Sequence, residues 1–207
     1  MSDNQIDKLR LHIERSFLHK SPNYEVAVPI KNMFNETGSF VSYNEKACEA
    51  CESGDVIDPV ELVAMMTPVF QRSNSKWDVG MQRRFVENVL CGAKTTLHLF
   101  EIKGDDHRGG NFNNCGILDG LQRSTALADF QSGKFDVFDG ISWEGLMQSK
   151  GIFPRCKLQV SIYQFPTVKE AVLFYIEMNK GITHSPEDLE SAYKYLESLD
   201  GTELNWC

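Results

Sequence analysis

The stretch Gly116-Ile117-Leu118-Asp119-Gly120-Leu121-Gln122-Arg123-Ser124-Thr125-Ala126-Leu127 decides how this chain is read. Ile117 and Leu118 are the end of a short apolar strand. Asp119-Gly120 is a turn signal, because glycine reaches backbone angles closed to other residues. A helix follows through Ala126, Leu127, Ala128 and Phe130, with Ser124 or Thr125 as its expected cap. The turn then sets free N–H groups and the positive end of a helix dipole beside Gln122 and Arg123, a setting that favours phosphates. Arg123 adds a planar fork able to grip two phosphate oxygens. Asp119 brings a carboxylate that could hold a divalent cation or a water. The competing reading is a capped helix with a surface arginine, and short motifs often match by accident.

Outward from that stretch, the pattern alternates strands and helices. Cys156–Phe165 alternates apolar and polar residues, as a half-buried strand does. Thr95–Ile102 and Tyr24–Ile30 also read as strands, with Pro29 placing the latter at an edge. Pro68-Val69-Phe70-Gln71-Arg72 reads as a short strand or extended piece. Helices are expected over 3–19 and 44–51, from Pro59, over 77–90 on a Trp77, Met81, Phe85, Val89 stripe, and over 167–179. Residues 140–151 form a helix or irregular connection. Gly181 closes the helix before it, and a last helix starts at Ser185, with Asp188 at the capping-box position. Lys103–Asn114 is a polar loop. The mixed order predicts an α+β domain with a small mixed sheet surrounded by helices, at about 56–200, with 1–55 an N-terminal extension packed on it.

Bulk properties narrow the function. The chain has 207 residues, 42% hydrophobic and 24% charged, as a soluble globular protein does. No apolar run approaches the roughly 20 residues that cross a bilayer. The polar start Met1-Ser2-Asp3-Asn4-Gln5 is no secretory signal, so a cytoplasmic location is expected. A net charge of −8 argues against coating nucleic acid by charge alone. It leaves room for a local basic groove around Arg72, Lys76, Arg83, Arg84 and Lys94. Of six cysteines only Cys48 and Cys51 have C-x-x-C spacing, and no second pair completes a zinc set. Walker and G-x-G-x-x-G loops are absent from the sequence.

Three separated pieces together resemble one family. Pro68–Arg72 with Trp77 resembles the P-x-x-Q-R … W opening of the GmrS-type domain. Asp119-Gly120-Leu121-Gln122-Arg123-Ser124-Thr125-Ala126-Leu127 resembles its D-G-Q-Q-R-x-T-A-L box. Phe174 to Gly181, then Ser185 and Leu189, resembles its closing segment. That domain, of the ParB/sulfiredoxin-like superfamily, occurs in GmrSD-type restriction enzymes and phage-defence proteins. The resemblance implies a ParB-like fold whose box binds nucleotide phosphates, and hydrolysis of nucleoside triphosphates or DNA cleavage with Mg²⁺ or another divalent cation. Leu121 departs from the pattern, standing where the first glutamine is usual.

On this reading Asp119, Gln122 and Arg123 are the expected catalytic residues, with Asp119 as metal ligand. Gln71, Arg72, Gly120, Arg123, Ser124, Thr125 and Asn179 are the expected phosphate contacts. Gln71 and Arg72 either face the pocket or tie down the Asp119 turn, Arg72 by pairing with Asp119. Asn179 caps a helix end or lines the pocket, and Trp77 is expected in the core. His98, His107 and His184 have no obvious partners, though His184 is near enough to Asn179 in sequence to reach the pocket. The alternatives are a non-catalytic nucleotide- or DNA-binding module, or a phage-encoded inhibitor of a host protein, with no membrane role.

Overall fold

The computed structural model describes residues 5–8, 21–35, 38–72, 74, 76–102, 114–149, 156–180 and 186–199. Most of the expected first helix, the loop 103–113 with His107, and Gly181, His184 and Ser185 lie outside the described residues, as does the Asp188 side chain.

Four strands form one mixed sheet: β1 (Tyr24–Pro29), β2 (Thr96–Ile102), β3 (Cys115–Asp119) and β4 (Lys157–Phe165), in the order β1-β4-β2-β3. β4 pairs antiparallel with β1 and parallel with β2, and β2 pairs antiparallel with β3. Side chains alternate across a strand, so the sheet has two apolar faces. Leu97, Leu99, Ile117, Val160 and Ile162 belong to one buried cluster. Phe100, Leu118, Tyr163 and Phe165 belong to the other. Helices cover both clusters, and the expected small sheet among helices stands as an α+β arrangement.

The helices are α1 (Ser39–Ser42), α2 (Glu45–Glu52), α3 (Pro59–Met65), α4 (Val79–Leu90), α5 (Leu121–Gln131), α6 (Trp143–Gln148), α7 (Val168–Asn179) and α8 (Pro186–Ser198). The first cluster takes α3, α4 and α5, and the second takes α7 and α8. Asn44, Asp58, Asp78, Ser142 and Thr167 each cap a helix by accepting from a backbone N–H of its first turn. The expected N-terminal extension is woven into the domain. β1 is the edge strand, and Ile30, Met33, Phe40 and Ala47 join the first cluster.

Three local expectations are corrected. Residues 68–72 are not a strand. The Gln71 N–H donates to the Pro68 carbonyl at 3.0 Å, which closes a turn. Phe70 is fully buried in that turn, its ring tilted against those of Phe100, Tyr175 and Tyr195. The turn caps the outer edge of β3 instead of extending it. Ile117 N–H donates to the Met66 carbonyl, and Gln71 Nε2 donates to the carbonyls of Ile117 and Leu118 at 2.7 and 3.0 Å.

The buried stripe of α4 also differs. It holds Gln82, Val86 and Val89, while Met81 is exposed. Gln82 is drawn in because its Nε2 donates to Asp129 Oδ2 at 3.0 Å, and Lys134 pairs with the other Asp129 oxygen at 2.7 Å. Trp77 precedes the helix and packs on Phe85 at 5.3 Å, half-buried against the core as expected. Finally, Ser124 and Thr125 do not cap α5. The helix starts immediately at Leu121 with Gly120 as its N-cap, and Ser124 N–H already donates to the Gly120 carbonyl at 2.8 Å.

Candidate anion site at the start of helix α5

The site begins with one glycine. Gly120 has φ +103°, a conformation that residues with a Cβ rarely adopt. A Cβ there would lie 2.6 Å from Leu97 Cδ2, and Leu97 is fully buried. The glycine thus lets the chain leave β3 and enter α5 with no linker, pressed against β2. Because the cap is a glycine, no side chain accepts from the first helical amides. Those of Leu121, Gln122 and Arg123 precede the first i→i−4 bond of the helix and leave the positive end of its dipole unmasked.

Around this end lies a cavity of about 240 Å³, lined by Gln71, Arg72, Trp77, Leu118, Asp119, Gly120, Leu121, Gln122, Arg123, Tyr175 and Asn179. The fold therefore brings together Gln71, Arg72, Asp119, Gly120, Gln122, Arg123 and Asn179 from three distant parts of the chain. Two expected contacts are not in it. Ser124 is fully buried, turned into the protein, and its Oγ has no partner. Thr125 faces the other way, where its Oγ1 meets Asn74 Nδ2 at 2.5 Å and lines a neighbouring cleft. Helical geometry is the reason: residues 124 and 125 lie on faces about 100° and 200° away from Arg123's.

Arg123 is fixed before any ligand arrives. Its Nη2 bonds Asp119 Oδ2 at 2.5 Å, and its Nη1 donates to the Thr96 carbonyl at 2.7 Å and Thr95 Oγ1 at 3.3 Å. The guanidinium thus clips the ends of β2 and β3 to α5, and its side chain stays only 24% exposed. Asp119 is thus paired with Arg123 across one turn of the chain's entry into α5. Gln71 spends its Nε2 on β3, so its structural role is visible alongside its place in the cavity wall. Asn179 is buried at the end of α7, and its Nδ2 donates to the Tyr175 carbonyl at 2.8 Å.

Gln122 stands apart. It is 7% exposed, it lines the cavity, and its buried Nε2 has no hydrogen-bond partner. A buried donor left unmade costs about 1–3 kcal/mol. Such a group calls for an acceptor that comes from outside.

His98, which has no obvious partner in the sequence, has neighbours in the sheet. It pairs in register with Asp119 on one side and with Ser161 on the other, and Ser161 Oγ donates to Glu25 Oε1 at 3.1 Å. Burial pushes the imidazole's proton affinity down, opposed by Asp119 and Glu25 and reinforced by Arg123. No local motif flags this neighbour of Asp119, because strand pairing creates it.

No known protein family, curated protein or solved structure matches the chain. No described helix is long and apolar enough to cross a membrane.

Proposed function

We propose that the cavity at the start of α5 binds the phosphates of a nucleoside triphosphate, and that this binding is the protein's activity. The observation that carries the reading is the unpartnered Gln122 Nε2 beside the uncapped amides of α5 and the fixed Arg123 guanidinium. All three are donors on residues that line one small space. Phosphate oxygens are the acceptors that can satisfy several such donors at once. The motif resemblance points to the same ligand class.

A divalent cation would be held by Asp119 together with the oxygens of the triphosphate itself. Among the described residues Asp119 is the one carboxylate in the cavity wall, and Arg123 takes one of its oxygens. The described residues contain no cluster of three or more histidines, cysteines, aspartates or glutamates suited to a metal.

Hydrolysis is the second reading. It is favoured by Asp119, whose side chain remains 36% exposed beside the proposed phosphate position, where it can orient a water. Titration calorimetry with ATP, GTP, CTP and UTP, with a phosphate-release assay in the presence and absence of Mg²⁺ and DNA, separates the readings. Binding with release supports a hydrolase, and binding without release supports a nucleotide-binding module. Absence of binding removes both and leaves a role through the acidic surface toward a partner protein.

A further inference from the structure

A second cavity adjoins the first, and the two share the walls Arg72 and Leu121. It is about 480 Å³, twice the size of the polar one, and runs between α3, the 67–72 turn and α5. Its walls are mainly aliphatic, with Val60, Val63, Pro68 and Leu121 among them. The polar cavity alone is below the roughly 300–1,000 Å³ of ordinary ligand sites, while this one falls inside that range. A triphosphate held by Gln122 and Arg123 therefore has its organic end outside the polar cavity, and the aliphatic cleft lies next to it, across Arg72 and Leu121.

We infer that this cleft is the nucleobase subsite of the phosphate site, with Leu121 as the hinge between the two halves of the ligand. The inference rests on the phosphate reading above. Its chemistry is more specific than apolar packing. Asn74 lines the cleft, and its Oδ1 is buried with no hydrogen-bond partner, while its Nδ2 is engaged with Thr125. An acyl chain or a methyl-rich peptide would leave that acceptor unmet. A nucleobase offers flat faces to the aliphatic walls and a ring or amino N–H to the amide oxygen. Leu121 gains a meaning here as well. Where the resembling box has glutamine, this chain has an aliphatic residue, 7% exposed, that forms wall to both cavities. The departure makes the junction apolar, which suits a base rather than a further phosphate.

The test compares inorganic tripolyphosphate with ATP, GTP, CTP and UTP by calorimetry on the full chain, then repeats it with Ala64→Phe. Ala64 lines the cleft from the exposed side of α3, so the larger ring fills the cleft without entering the core. The expected result is that at least one nucleotide binds about tenfold or more tightly than tripolyphosphate. Ala64→Phe should remove that advantage and leave tripolyphosphate affinity unchanged. Equal affinity of tripolyphosphate and all four nucleotides overturns the base subsite and leaves the phosphate site standing. A nucleotide advantage that survives Ala64→Phe overturns it too, because the base must then sit elsewhere. Failure of tripolyphosphate and nucleotides alike overturns both.

Discussion

Replacing Gln122 by methionine should make the protein more stable and worse at binding phosphate. The two side chains have similar length and flexibility, so packing against the cavity wall is retained. What disappears is a buried Nε2 donor with no partner. Leaving such a group unmade costs about 1–3 kcal/mol, and methionine removes that cost. We expect a gain of about 1 kcal/mol, which for a chain of this length raises Tm by about 2–4 °C. Ligand reverses the ranking. At a tripolyphosphate concentration 100 times its Kd, the wild type gains about 2.7 kcal/mol, or roughly 5–11 °C. A hydrogen bond to a charged group is worth about 1.5–3 kcal/mol, so the variant binds at least about tenfold more weakly. At the same concentration it gains at most about 1.4 kcal/mol. Thermal melts with and without tripolyphosphate, backed by urea titrations, measure all four states. A variant that loses more than about 1 kcal/mol without ligand would show that Nε2 has a partner in the folded protein. A ligand shift equal to the wild type's would remove Gln122 from the site. Either result refutes the reasoning.

Other perturbations test the surrounding framework. Gly120→Ala should cost about 2–4 kcal/mol in urea unfolding, because the positive φ strains any Cβ and the methyl meets buried Leu97 at 2.6 Å; a loss under 0.5 kcal/mol would contradict the geometry. Asp119→Asn should keep the fold and tighten tripolyphosphate binding two- to fivefold, since the carboxylate competes for Arg123 through a partly exposed pair worth about 0.5–1 kcal/mol, while Nη1 stays held by Thr96. The same variant should lose any phosphate release; unchanged turnover would exclude Asp119 from chemistry. His98 gives a pH signature. Burial lowers its proton affinity below the ordinary 6.5, so the unfolded chain binds the proton more readily. Stability is then fully present above that pH and falls as pH drops through it, and His98→Phe should flatten this part of the urea-midpoint profile. Cys115 is buried, and burial, then Glu101, pushes its thiol well above the ordinary value. Iodoacetamide at pH 8 should spare it in the native protein and label it after denaturation, as peptide mass mapping would read.

The folding of the chain shows where local signals are enough. All four strands, and the helices over 44–51, from Pro59, over 77–90 and over 167–179, are read from local apolar patterns and from Pro59, because those signals reach only a few residues along the chain. Residues 68–72 show the limit. Their composition suits a strand, but a turn forms because Phe70 finds an aromatic pocket from α7 and α8 and Gln71 finds the bare carbonyls of β3. Likewise Gln82 belongs to the buried face of α4 only because Asp129, 47 residues away, waits there.

By itself the sequence determined the turn at Asp119-Gly120, the helix it launches and the donors it carries, since backbone sterics at a glycine and side-chain chemistry are local properties. Tertiary structure alone decided which of those donors share a cavity. It buried Ser124, turned Thr125 toward Asn74, gave Arg123 to Asp119 and Thr96, set His98 beside Asp119 and left Gln122 without a partner. The physical reason is that a hydrogen bond is satisfied or orphaned by what packs against it, and here that packing comes from segments dozens of residues away.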